Sequence, residues 1–290
     1  MQAASCGYGE VHVTPIKKIL FPVDFSDSCA GAARYVEALA GRFEAEILLL
    51  HAVGMGEHSL PEDMLPGRNA KLEEFLAGEL KYFTVRRSCV IGDPADTIVE
   101  TARAWKPDLV MIPTHGPGFF RRHLLGSVTA KVLHDLDCPV WTGVHAEQAP
   151  PLEQIACHKI ICAVDLGERS GSVLEWANGL AAEYEADLGI VYATLGLEGV
   201  AAGTYIDEEF VRSLCVEARA RIGELQTEAG TDAAVFVKSG DPAKVVSCAA
   251  QDFNADLLVM GRHSGAGVAG YLRHNAYAIL RSSPCPVISI

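Results

Sequence analysis

KKILFPVDFS, residues 17–26, returns as HKIICAVDLG, residues 158–167, and this pair decides the fold. In each segment an apolar run (residues 19–23 and 160–164) closes on an aspartate, Asp24 or Asp165. Neither run alternates apolar with polar residues. The strands they predict are therefore buried on both faces, as in a parallel sheet with helices on each side. Further out, Gly92-Asp93-Pro94-Ala95 returns as Gly240-Asp241-Pro242-Ala243, and residues 107–112 (PDLVMI) return as 255–260 (ADLLVM). Cys138-Pro139-Val140 returns as Cys285-Pro286-Val287. The order is the same in both copies and the offsets are 141, 148, 148 and 147 residues, so one fold is built twice with small changes in loop length. A chain of 290 residues has room for both copies at roughly 150 residues per domain. The expected division is 1–144, a polar linker at 145–157 carrying Pro150-Pro151, and 158–290.

Within a copy, apolar runs alternate with helical periods. Cys29, Ala32, Val36, Leu39 and Phe43 recur at spacings of three and four, one face of a helix. Residues 47–50 form the next run, and Leu72, Phe75, Leu76 and Leu80 predict a second helix. Residues 82–91, 108–112 and 139–142 supply three more strands, with helices at 93–105 and 127–134 between them. In the second copy Val173, Ala177, Leu180 and Tyr184 predict the first helix, and Val211, Leu214, Ala218 and Leu225 the second. Five strands per copy make a doubly wound α/β domain. Ligands in such sheets sit beyond the carboxyl ends of the strands where strand order reverses, so the loops after strands one, two and four hold the candidate site.

Composition narrows the function. Hydrophobic residues at 49% and charged residues at 21% are enough for a buried core and exclude an extended disordered chain. A net charge of −13 repels phosphodiester backbones and anionic membrane surfaces, so neither nucleic acid nor membrane is an expected partner. No run of about 18 apolar residues predicts a membrane span, and residues 1–15 lack the pattern of a signal peptide. Nine cysteines without a repeated CxxC suit a reducing cytoplasm.

The loop after strand four of the first copy, residues 113–128, reads PTHGPGFFRRHLLGSV. It leaves a strand and enters a helix near Ser127, offering main-chain N–H groups and a helix N-terminus to an anion, with Arg121 and Arg122 adding charge. Gly116 and Gly126 let a phosphate come close to the backbone. The structural alternative makes the glycines turn residues and Ser127 a helix cap.

VDFS after strand one, the THG loop, GSV opening the last helix and CPV in the last strand together resemble the universal stress protein family, over nearly the whole chain and as two tandem domains. The resemblance implies a five-stranded parallel sheet of order 3-2-1-4-5, dimer formation through the last strand, and a role in stress survival. It also implies, for many members, ATP bound through a loop of the form G-x2-G-x9-G-[ST]. On this chain the implied nucleotide contacts are Pro22, Val23 and Asp24 at the end of strand one, Val53 at the end of strand two, and Pro113, His115, Gly116, Gly126, Ser127 and Val128 in the loop. Pro113 stands where the first motif glycine belongs and brings no N–H. ATP is the implied cofactor, with Mg2+ its companion, and the domains pair within the chain or as a homodimer.

The second copy departs further. Gly261 keeps the first glycine, Ser264 replaces the second, and Arg273-His274 replace the Gly-Ser pair, while Thr194 falls opposite Val53. The expectation is a nucleotide-binding first copy and a structural or regulatory second one. Asp24 and Asp165 each have two readings, ligand contact or cap of the following helix, with ligand contact favoured for Asp24 and the cap for Asp165. His115 and His263 read as loop hydrogen bonders or ligand contacts. Residues 265–270 fit GxGxxG, but no acid follows Gly270 to hold a ribose and the preceding strand is the fourth, which argues against NAD. There is no GxxxxGK[ST] and no GxSxG. Cys157 and Cys162, read on one strand, fall on opposite faces and do not make a zinc pair. Cys138 and Cys285 read as small core residues. Two further readings stay open, slow ATP hydrolysis and a nucleotide-independent interaction module.

Overall fold

A computed structural model describes residues 16–54, 61–114, 125–143, 146–194, 208–262 and 270–290. The chain packs into two compact units, one of Pro15–Ala156 with Pro286–Ile290 and the other of Cys157–Cys285. In the first, β1 (Lys18–Pro22), β2 (Glu46–Val53), β3 (Val85–Ile91), β4 (Leu109–Met111) and β5 (Val140–Thr142) form a parallel sheet of order β3-β2-β1-β4-β5. Positions 19–22 of β1 are all buried, as only a strand covered on both faces can be. Its helices are α1 (Asp27–Phe43), α2 (Pro61–Glu74), α3 (Pro94–Trp105) and α4 (Ser127–Asp135). The second unit holds β6 (Lys159–Ala163), β7 (Asp187–Thr194), β8 (Ala234–Ser239) and β9 (Leu257–Met260), in the order β9-β6-β7-β8, all parallel. Its helices are α5 (Ser170–Tyr184), α6 (Glu208–Ala229), α7 (Pro242–Phe253) and α8 (Gly270–Ser282). The last strand, β10 (Val287–Ser289), belongs to the first unit, where it pairs antiparallel with β5.

Each duplicated motif has a duplicated mechanical role. Asp93 caps α3 by accepting from the N–H groups of Ala95 and Asp96, with Pro94 in the first helical turn, and Asp241 caps α7 through Lys244 N–H. Gly92 is required because a Cβ there would lie 2.7 Å from Thr97 Oγ1, and Gly240 because its φ is 147°. Asp108 Oδ2 accepts from the main-chain N–H groups of Lys17 (2.8 Å) and Lys18 (2.9 Å), tying the start of β1 to β4. Asp256 Oδ2 does the same for His158 (2.8 Å) and Lys159 (3.0 Å).

Two expectations are corrected. The helix predicted through Leu80 stops at Glu74, because Leu76 takes a left-handed φ of 56° and the chain runs on in turns. Leu72, Leu76 and Leu80 are still buried, so the apolar period was real but the continuous helix was not. The third strand begins at Val85, three residues later than predicted. In the stretch between the copies, two short 3₁₀ turns, Ala146–Gln148 and Leu152–Gln154, pack on α1. Arg34 Nη1 donates to the carbonyl of Ala149, and Gly31 admits the first turn, since a Cβ there would sit 1.8 Å from Ala146 O.

Candidate functional site

The carboxyl ends of β1, β2 and β4 meet where sheet order reverses between β1 and β4. After β1 ends at Pro22, Val23 N–H donates to Leu50 O at 2.8 Å, and the chain then turns sharply. Asp24 Oδ1 accepts from Ser26 N–H at 2.9 Å and from the Cys29 thiol at 3.1 Å. The turn puts Phe25 at φ 63°, a left-handed conformation uncommon for a bulky residue. Its ring is held on several sides. His51 lies 4.3 Å away, tilted; Phe75 meets it edge-on at 5.2 Å; and Lys71 Nζ sits 4.5 Å from its centroid.

His51 is buried on β2 and its Nδ1 lies 2.8 Å from Val23 O. Burial lowers its pKa below the usual histidine range, and the cations of Arg68 and Lys71 push the same way. The bond to Val23 O and the charge of Asp24 oppose them. A neutral ring at neutral pH donates from Nδ1 to that carbonyl. The Cys29 thiol is pushed up to about 12, first by burial and then by the charge of Asp24, which leaves it unreactive as a nucleophile.

Val53 ends β2 and is buried, its carbonyl accepting from Gly92 N–H at 3.0 Å. Past β4, Thr114 donates from its hydroxyl to Gly143 O at 3.1 Å, and Thr129 Oγ1 donates to Pro113 O at 3.1 Å. Gly126 N–H donates to Thr114 O at 3.0 Å, closing the base of the loop. Gly126 is the N-cap of α4 and brings no side-chain cap. Its own N–H is turned to Thr114, so an anion at this helix end meets the first-turn N–H groups that begin at Ser127 and Val128. Val23 is bonded to Leu50 of β2 next to Pro22, and Pro113 and Gly126 are tied through Thr129 and Thr114 at the base of α4, while Asp24 follows β1, Val53 ends β2, and Ser127 and Val128 open α4. His115, Gly116, Arg121, Arg122 and His123 lie outside the described residues. The cluster of Phe25, His51, Phe75 and Lys71 was missed from sequence. No glycine flagged the left-handed turn, and Lys71 lies on a helix with little apolar period.

The second copy repeats the turn and changes what surrounds it. Asp165 Oδ1 accepts from Gly167 N–H (2.9 Å) and Ser170 Oγ (2.8 Å), around Leu166 at φ 58°. Thr194 O accepts from Gly240 N–H at 3.3 Å, matching Val53 and Gly92. Tyr192 stands where the first copy has His51, its phenol pushed up by burial and then by the charges of Asp165 and Glu217. Arg273 and His274 lie inside α8, which begins at Gly270. Where α4 opens at Ser127, α8 has run a full turn before His274, so the main-chain N–H there faces a carbonyl one turn back. His263 and Ser264 lie outside the described residues.

Cys157 precedes β6 and is not on it, which corrects the reading of Cys157 and Cys162 as opposite faces of one strand. Burial pushes both thiols up to about 12 and that of Cys285 up to about 11. Cys285 is buried, whereas Cys138 is half-buried. Among the described residues no helix is long and apolar enough to cross a membrane.

The sequence model of the universal stress protein family matches residues 15–142 and again 157–290. Universal stress protein MJ0531 of Methanocaldococcus jannaschii is 31% identical over 135 residues, covering 43% of this chain and 79% of that protein. Universal stress protein MJ0577 of the same organism is 30% identical over 149 residues, covering 43% of this chain and 92% of its own length. Each relative is matched over most of its length by less than half of this chain. A solved universal stress protein from Archaeoglobus fulgidus superposes with a TM-score of 0.69 at 20% identity, covering 96% of this chain and 97% of that one, a likeness of fold.

Proposed function

This chain belongs to the universal stress protein family, and we propose that its N-terminal copy binds an adenine nucleotide and regulates a stress response through conformation or assembly. The ligand is ATP, with Mg2+ carried on its phosphates. The nucleotide-binding domain is 1–144, joined through 145–157 to a second domain, 158–290, that does not bind nucleotide in the same pose. The protein works in the cytoplasm, with its domains paired within the chain or as a homodimer. One observation carries this reading. At the switch point of the first copy, Asp24, Val53 and Pro113–Thr114 share an edge with a helix N-terminus that has no side-chain cap, whereas the second copy has helix interior in that place. Strand ends hold the nucleoside and the first turn of α4 faces the phosphates.

A second reading, a nucleotide-independent interaction module, is favoured by Pro113, which offers no N–H, and by the Gly126 N–H already bonded to Thr114. Acid extraction of gently purified protein, with titration calorimetry of ATP against wild type and Gly126→Trp, separates the two. Nucleotide binding predicts bound ATP or ADP near one per chain, or micromolar ATP affinity weakened more than about tenfold by an indole at the mouth of α4. A protein that purifies empty and gives no heat up to millimolar ATP sinks the nucleotide reading. Slow hydrolysis is read in the same samples as ADP formed over time.

A further inference from the structure

We propose that Lys71, with Arg68 one turn earlier on α2, is the charge selector of the N-terminal site, favouring ligands in proportion to their negative charge. The inference rests on the nucleotide reading above and adds a helix that the family motif does not include. The placement of Lys71 is fixed from behind. Leu72 is buried, and Arg87 of β3 donates from Nε to Leu72 O at 3.0 Å and from Nη2 to Phe75 O at 3.5 Å, holding the last turn of α2 against the sheet. From that turn the Lys71 ammonium reaches over Phe25, the residue next to Asp24. The Phe25 ring is also packed by His51 and Phe75, so its work is to seat the ammonium beside the crevice, not to stack on a base. Lys71 and Arg68, three residues apart, share one face of the helix. Among the described residues neither meets a carboxylate at ion-pairing distance.

The charge balance of the molecule gives these cations their purpose. On a chain of net charge −13 an anionic ligand meets repulsion from the whole surface, and local positive charge at the crevice offsets it. In the second copy the charges that act on Tyr192, in the place of His51, are those of Asp165 and Glu217 of α6, whereas His51 meets Asp24 together with the cations Arg68 and Lys71. Selection by charge is thus a property of one copy, set by the helix that follows its second strand.

The test is a ladder of ligands on the full chain: adenosine, AMP, ADP and ATP, titrated at low and moderate salt against wild type, Lys71→Met, Lys71→Arg and Lys71→Glu. The expected result is a loss that grows along the ladder in Lys71→Met, reaching about fivefold for ATP while adenosine changes by less than about twofold. Lys71→Arg restores ATP affinity, Lys71→Glu loses more than Lys71→Met, and the salt dependence of ATP binding flattens in Lys71→Met. Lys81→Met is the control, since Lys81 stacks on the exposed Tyr82 before the start of β3. An equal loss for adenosine and ATP, or none for either, overturns the selector and leaves the nucleotide site standing. A wild-type protein that binds no member of the ladder overturns the nucleotide site and the selector together.

Discussion

In the N-terminal copy Asp108 clamps the main chain of Lys17 and Lys18, and in the C-terminal copy Asp256 clamps His158 and Lys159 with bonds of nearly the same lengths. Glu44 and Glu185 end the first helices at φ 52° and 53°, Lys106 and Asn254 end the third helices at 53° each, and Phe25 and Leu166 share a left-handed turn. Beyond the strand ends the correspondence stops. His51 becomes Tyr192, the charges acting at that place change from Arg68 and Lys71 to Glu217, and the mouth of α4 becomes the interior of α8. The difference separates two kinds of residue that a repeat alone cannot separate. Those that recur with the same bonds hold the sheet together, and those that change at equivalent places set what each copy meets.

The largest effect that probes this comparison lies in the core. Phe21 is fully buried in β1, and the equivalent place in β6 is Cys162, also fully buried. Phe21→Ala is expected to cost about 3–5 kcal/mol and Cys162→Ala about 1 kcal/mol, measured by urea denaturation, because the cavity scales with the side chain removed. Equal costs would mean that the two sheets are not packed as equivalents. The clamps come next. Asp108→Ala and Asp256→Ala each leave two main-chain donors without their carboxylate and should each cost about 1.5–3 kcal/mol, toward the lower end because both are partly exposed. A clear inequality in the same denaturation assay would break the claim that the scaffold is shared.

The smallest effect is in pH. His51 has a folded pKa below its unfolded value of 6.5, so the unfolded chain takes up its proton first as pH falls. Its contribution to stability is therefore complete above about pH 6.5, declines as pH drops toward the folded pKa, and is lost below it. His51→Asn keeps a donor toward Val23 O, and should flatten the fall of Tm below about pH 6.5. Tyr192→Phe in the second copy should leave that slope unchanged. An unchanged slope in His51→Asn would show that the difference between the copies at this position carries no proton linkage.

How much of this was legible beforehand depends on what makes each element. β4 and β9 are apolar at every position, and β1 and β6 at every position after their opening lysines, as a strand buried on both faces must be. The repeated Gly-Asp-Pro-Ala was legible as a repeat, while its use as the caps of α3 and α7 shows in the folded chain. The break after Glu74 was not, since Leu76, Leu80 and the chain between them keep a helical apolar period while the backbone turns left-handed at Leu76. At the site, Asp24, Val53 and the α4 mouth could be placed from motif order. The use of the Gly126 N–H could not, because it depends on how close Thr114 O comes after folding. Lys71 was invisible for a similar reason: its meaning lies in a ring 46 positions earlier in the chain.

The pairing of β10 with β5 also sets an order of events during synthesis. β5 is complete by Thr142, yet the strand that covers its edge is made of Val287, Ile288 and Ser289, reinforced by Ser289 Oγ donating to Val140 O at 3.3 Å. A chain emerging from the ribosome therefore carries an unpaired sheet edge while more than a hundred residues are still being added, and such an edge is a template for pairing with another nascent chain. The first unit closes last.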